Sequence, residues 1–133
     1  MKPRSSLNVE RLEDRDQPST ITLDANNNIV YTAGQGVANS VAVNPSLMNQ
    51  GELVITETAE NITSVPMGWT LSPDNRTATG PFNANSFVEF DVGDQGDYVN
   101  ATMSPVWVKI WGKEGNDTLY GSQYSDRMFG GDG

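Results

Sequence analysis

Three aspartates, Asp97, Asp117 and Asp126, each stand two residues before an apolar residue (Val99, Leu119 and Met128), and each closes a stretch that carries glycine. A glycine-bearing bend lets backbone carbonyls turn toward a common centre, because glycine enters left-handed backbone without a Cβ penalty. An aspartate at the end of that bend adds a carboxylate, and the three residues after it form a strand whose middle side chain faces inward. Such bends present hard oxygen donors. The chain has no cysteine and no histidine, which excludes Ser/His/Asp and Cys/His hydrolases and thiolate or imidazole zinc centres. Oxygen ligands alone suit calcium, which takes six to eight of them.

The end of the chain falls into rows of nine: GKEGNDTLY (112–120), GSQYSDRMF (121–129) and a partial GGDG (130–133). Each full row has glycine first, aspartate sixth and a large apolar residue eighth. This pattern resembles the nonapeptide repeat of the hemolysin-type, repeats-in-toxin (RTX) calcium-binding family. Two rows complete one coil, so turns on the same edge stack at roughly 4.8 Å and leave gaps lined with oxygen. Asp97 lies twenty residues before Asp117, which predicts that Gly93 to Asp97 sits over Gly112 to Asp117, with a calcium ion between them. The resemblance implies metal ligands from Asp97, Asp117, Asp126 and Asp132 and from the turn residues Gly112, Gly115 and Gly130. Lys113, Ser122 and Tyr124 occupy positions where the repeat has glycine, and the edge of the second row is expected to be a poor site. The third row stops before its sixth position, so the array reads as incomplete, with a last dozen residues expected to fray without calcium.

The elements that must position these bends are short strands. TITLD and NIVYT flank Asn26, Asn27 and Asn28, which read as a turn, and VANSVAV, ELVITET, WTLS, FVEFDV and VWVKIW repeat the alternation of apolar and polar residues. Val88, Phe90, Val92 and Val99 are expected to point inward, and Pro45, Pro66, Pro73 and Pro81 are expected between strands. The expected fold is all-β: a parallel β-helix or β-roll in one solenoid domain, with irregular N-terminal rows and a truncated calcium roll at the C-terminus. Residues 1–19 read as a leader, disordered or a short helix, 20–92 as degenerate β rows, and 93–133 as the RTX-type roll. Leu12, Glu13, Asp14 and Arg15, followed by Pro18, resemble a short N-terminal motif of exported bacterial proteins.

Seventeen acidic residues against eight basic ones give a net charge of −9 over 133 residues. That surface repels nucleic-acid phosphates and anionic membranes and attracts divalent cations. No apolar run approaches the length that spans a bilayer, and no apolar h-region follows the basic start MKPRSSLNVERLEDR. Membrane insertion and nucleic-acid binding are therefore not expected.

The function expected is calcium binding coupled to folding, in a secreted or cell-surface bacterial protein with a structural or adhesive role and no catalysis. Surface glycans or other repeat proteins are the expected macromolecular partners. An adhesive alternative uses Trp69, Trp107 and Trp111 as stacking platforms. Trp107 and Trp111 alternate with Val106, Val108 and Ile110, so one of those two faces is exposed. A glycan-active hydrolase would draw on Glu57, Glu89 and Asp91, none of which sits in a recognisable motif.

Overall fold

The computed structural model describes residues 18–133. The leader motif from Leu12 to Arg15 lies outside these residues. Strand β1 (Ser19–Leu23) and strand β2 (Ile29–Thr32) form an antiparallel hairpin. Asn27 takes a positive φ of 64° in the turn, and the Asp24 carboxylate accepts the backbone N–H groups of Asn26 and Asn28, both at 2.9 Å. The turn read from the asparagines is thus the one that forms. Asparagine suits it because its short polar side chain tolerates left-handed backbone.

Strands β3 (Ser40–Pro45), β4 (Glu52–Glu57), β5 (Ile62–Ser64), β6 (Thr70–Leu71) and β7 (Thr77–Pro81) follow. Next come β8 (Val88–Asp91), β9 (Tyr98–Asn100), β10 (Val108–Trp111), β11 (Thr118–Tyr120) and β12 (Arg127–Phe129). They build two six-stranded sheets, one in the order β12-β10-β8-β2-β1-β5 and the other β11-β9-β3-β4-β7-β6. The all-β expectation holds. A single parallel solenoid does not: both sheets are mixed. β1 runs antiparallel to β2, and β4 runs antiparallel to both β3 and β7, because short connections fold β1 onto β2 and β3 onto β4 within one sheet, and β7 returns to β4 after the chain has crossed to β5. Pro45 and Pro81 end β3 and β7 rather than falling between strands.

From β8 onward the chain alternates between the sheets and each strand pairs in parallel with an earlier one. In the first sheet β8 joins β2, β10 joins β8 and β12 joins β10. In the second, β9 joins β3 and β11 joins β9. The turns from β2 to β3, β8 to β9 and β10 to β11 are therefore brought to one edge, one above another. Inner faces of both sheets share a core that includes Ile21, Tyr31, Val43, Leu53, Ile55, Phe90 and Ile110. The four residues expected to face inward, Val88, Phe90, Val92 and Val99, are all fully buried. So are Val108 and Ile110, which puts Trp107 and Trp111 on the outer face.

Candidate metal centre

Register aligns Val41, Val99 and Leu119 as one row of inward side chains. Two residues earlier along the chain, just before each strand begins, stand Asn39, Asp97 and Asp117. Hydrogen bonds join these rungs: the Asn39 N–H donates to Asp97 Oδ1 at 2.7 Å, and the Asp97 N–H donates to Asp117 Oδ1 at 2.9 Å. Each carboxylate thus leans on the amide of the rung above. The stacking expected of Gly93–Asp97 over Gly112–Asp117 is what the structure contains.

The turns repeat their backbone as well as their side chains. Positive φ values occur at Gly93 and Gln95 (77° and 75°), Lys113 and Gly115 (62° and 112°), and Gly131 and Gly133 (79° and 138°). These are the second and fourth positions of three stacked turns. At Gly115 glycine is required twice over, since its φ disfavours any side chain and a Cβ would collide with the Gln95 carbonyl above it. Lys113 accepts the same left-handed backbone despite its side chain, and its Nζ lies 2.9 Å from Asp91 Oδ2. Its charge is drawn to Asp91 rather than placed between the turns.

Only three buried side-chain polar atoms among the described residues lack a hydrogen-bond partner: Asn39 Oδ1, Asp97 Oδ2 and Asp117 Oδ2. All three are oxygens, and all three belong to the one column of rungs. Buried acceptors are almost always satisfied, so a run of orphaned oxygens at successive rungs marks a place for an electropositive partner. The space beside Asp117 Oδ2 exists because residue 112 is glycine: a Cβ there would stand 2.6 Å from that oxygen and 2.9 Å from the Gly130 carbonyl. Burial pushes the Asp97 carboxyl up to about 7, with the negative charge of Asp117 adding to the rise and the Asn39 N–H opposing it.

Calcium fits this donor set. The atoms are carboxylate and carbonyl oxygens, two carboxylates supply the compensating charge, and no softer ligand is present. Among the described residues no group of three or more acidic, histidine or cysteine side chains could hold a metal ion, so backbone carbonyls of the turns or water would have to complete any shell. Gly130 and Asp132 lie on this same edge. The Gly112 N–H donates to the Phe129 carbonyl at 2.7 Å, the Gly115 N–H donates to the Asp132 carbonyl at 3.0 Å, and Glu114 and Asp132 form a parallel bridge.

Asp126 stands apart, in register with Val108 on the opposite edge. Its Oδ1 accepts the Val108 N–H at 2.9 Å and the Ser122 hydroxyl at 2.6 Å, and its Oδ2 accepts the Ser122 N–H at 2.7 Å. With both oxygens occupied it closes its own turn. Ser122 therefore satisfies the aspartate, and neither Ser122 nor Tyr124 takes the left-handed backbone expected to strain this edge.

Sequence reasoning missed Asn39 and the polar network behind it. Its amide nitrogen donates to Glu57 Oε2 at 2.6 Å and to Glu60 Oε2 at 2.7 Å. Glu57 also accepts the Tyr31 hydroxyl at 2.6 Å and the Ala59 N–H at 2.7 Å, and Glu60 accepts the Gly34 N–H at 2.8 Å and the Ser19 hydroxyl. Burial and the charge of Glu57 push the Tyr31 hydroxyl well above the ordinary phenol range. A signal did exist: Asn39 precedes Val41 by two, as Asp97 precedes Val99.

The residues of the other expectations are dispersed. Glu57 is fully buried, Glu89 accepts the Trp111 indole N–H at 2.7 Å, and Asp91 holds Lys113. Trp69 is buried against Gly80 and offers no platform. Trp107 and Trp111 remain partly exposed, paired with Phe87 and Phe129 at ring-centroid distances of 4.3 and 4.2 Å. A hollow of about 720 Å³ lined by Leu47, Met48, Val54, Thr79 and Met103 belongs to the outer face of the second sheet. None of the orphaned oxygens lines it.

Searches of curated proteins and of solved structures yield no match to the chain. Residues 111–133, the segment that contains Gly112, Gly115, Asp117 and Gly130, match the family model of the RTX calcium-binding nonapeptide repeat (4 copies), which supports the RTX family for this part of the molecule.

Proposed function

We propose that the stacked turns 93–97 and 112–117 form an RTX-type β-roll site that holds one calcium ion between the Asp97 and Asp117 carboxylates, and that the ion couples folding of the C-terminal rows to calcium. The observation that carries this reading is the pair of buried, partnerless oxygens, Asp97 Oδ2 and Asp117 Oδ2, on adjacent rungs. Carbonyls of Gly112, Gly115 and Gly130 and the Asp132 carboxylate would contribute from the same edge, while Asp126, on the opposite edge, would not. The bound cation neutralises two carboxylates that otherwise repel across the turns.

Sites of about 10⁻⁴ to 10⁻³ M affinity serve extracellular modules. A site in that range would suit the role we propose: an exported or cell-surface protein of bacterial type, loose where calcium is scarce and closed where it is millimolar, with a structural or adhesive task. No helix among the described residues is long and apolar enough to cross a membrane. The test is a calorimetric titration with CaCl₂. Calcium at about a hundred times its Kd should stabilise the fold by about 2.7 kcal/mol and raise the melting temperature by on the order of 10 °C. Asp117→Asn should weaken binding by on the order of tenfold, because ligand charge sets affinity. Absence of calcium-dependent heat and of any melting shift at millimolar calcium would sink the reading.

Surface glycans are a second proposed partner, favoured by the outer-face aromatic pairs Phe87–Trp107 and Trp111–Phe129. Retardation on immobilised polysaccharide that disappears in Trp107→Ala/Trp111→Ala supports them; unchanged retardation removes them.

A further inference from the structure

The column of partnerless oxygens has three members and so two gaps, and the calcium proposed above uses only the gap between Asp97 and Asp117. We propose that a second divalent cation, calcium by its donor chemistry, binds one rung further in, between the turn 34–39 and the turn 93–97, held by Asn39 Oδ1 and by the carboxylates of Asp97 and Asp94. This inference builds on the first site, with which it shares Asp97, but its residues lie outside the segment 111–133 that matches the nonapeptide repeat.

Asn39 is the informative residue. It is 2% exposed, and its Oδ1 has no partner among the described residues. The two hydrogens of its amide are committed to two different carboxylates, Glu57 and Glu60. Exchanging oxygen and nitrogen would set a carbonyl oxygen against both of them, so the network fixes which atom is which. Oδ1 is thereby turned away from Glu57 and Glu60. A buried acceptor left bare costs stability that a well-satisfied network of donors would not otherwise tolerate.

Two carboxylates of the adjoining turn accept backbone hydrogen bonds from the turn 34–39. Asp97 Oδ1 accepts the Asn39 N–H at 2.7 Å, and Asp94 Oδ1 accepts the Gly36 N–H at 2.8 Å. Each carboxylate oxygen offers two lone-pair positions, so neither hydrogen bond exhausts its donor capacity toward a cation. Two negative charges and one neutral amide oxygen match a doubly charged hard ion, and Asp97 then bridges the two sites. An asparagine in place of the repeat's aspartate at this rung keeps the pocket from accumulating a third charge beside the buried Glu57 and Glu60.

Calorimetry of the full chain with CaCl₂ should give two ions per chain. Asp94→Asn, a substitution outside the core, should weaken one of them by on the order of tenfold and leave the other; Asp117→Asn should do the reverse. Asn39→Ala tests the amide oxygen, but it also strips donors from Glu57 and Glu60 and can unfold the protein. The unsubstituted chain therefore supplies the second measurement: the ¹³Cγ resonance of Asn39 should shift and saturate with calcium. Two ions with loss of one in Asp94→Asn and a shifted Asn39 signal support the inner site. A single ion that is abolished by Asp117→Asn, untouched by Asp94→Asn and silent at Asn39 keeps the outer site and overturns the inner one. Two ions that both survive Asp94→Asn, with Asn39 silent, overturn it as well. No calcium-dependent heat refutes both sites.

Discussion

At Asp97 the proposed calcium ion would compete with a proton. Its carboxyl is raised to about 7 from an ordinary 3.8, first by burial and then by the charge of Asp117. The folded chain therefore holds this proton more tightly than the unfolded chain, and the stability it confers is fully present below about 4 and lost as the pH climbs to about 7. In EDTA, melting temperature should fall over that interval on account of this group. Calcium favours the ionised form, so the stabilisation from added calcium should be larger at pH 8 than at pH 5. Melting curves at both pH values, with and without calcium, check the sign; equal calcium shifts would contradict it. Of this site, the Asp97–Asp117 pair was legible because the two aspartates share a short, glycine-marked spacing. Asn39 was not, since its rung partner lies 58 residues away. Glu57 misled for a different reason: a sequence gives no sign that a carboxylate will be fully buried among donors.

At the scale of elements, the segments most readily read were those with clean alternation. The hairpin of β1 and β2 and strands β4, β8 and β10 follow their apolar periodicity. Strand β7, TATGP, was missed because Gly80 and Pro81 look like turn chemistry. Gly80 is there for packing: the Trp69 ring lies against its Cα, and a Cβ would overlap the indole. The same contact explains why Trp69 is buried instead of exposed as a platform. Gly80→Ala should push the indole outward at a cost of about 1–3 kcal/mol. Thermal denaturation should move down by several degrees and tryptophan emission should shift to the red. An unchanged spectrum would mean that the ring does not depend on this glycine.

Across the whole molecule, burial is uneven. Core side chains run from Ile21 to Ile110, whereas β11 contributes a half-buried Leu119 and β12 is exposed throughout, with Met128 at 48%. Regions with few buried apolar contacts open first. In EDTA, amides of residues 112–133 should exchange fastest, and calcium should slow them by on the order of tenfold or more while leaving β1, β2 and β4 nearly unchanged. Uniform protection along the chain would argue against the gradient. The all-β class was readable from composition, and the stacking of 93–97 over 112–117 from the twenty-residue spacing of their aspartates. The mixed sheets were not, because an alternating segment of four to six residues looks the same whether its neighbour runs with it or against it.

The interval between rungs varies widely: 58 residues from Asn39 to Asp97 but 20 from Asp97 to Asp117. Everything from β4 to β7 leaves and rejoins the stack at that first, longer step. Chain entropy of such a closure grows only with the logarithm of its length, about 0.6 kcal/mol for each doubling. An inserted hairpin or small domain with adjacent ends is thus best placed in the exposed stretch 47–51 between β3 and β4, where added chain leaves the buried Leu53, Ile55, Glu57 and Ile62 of the excursion in place.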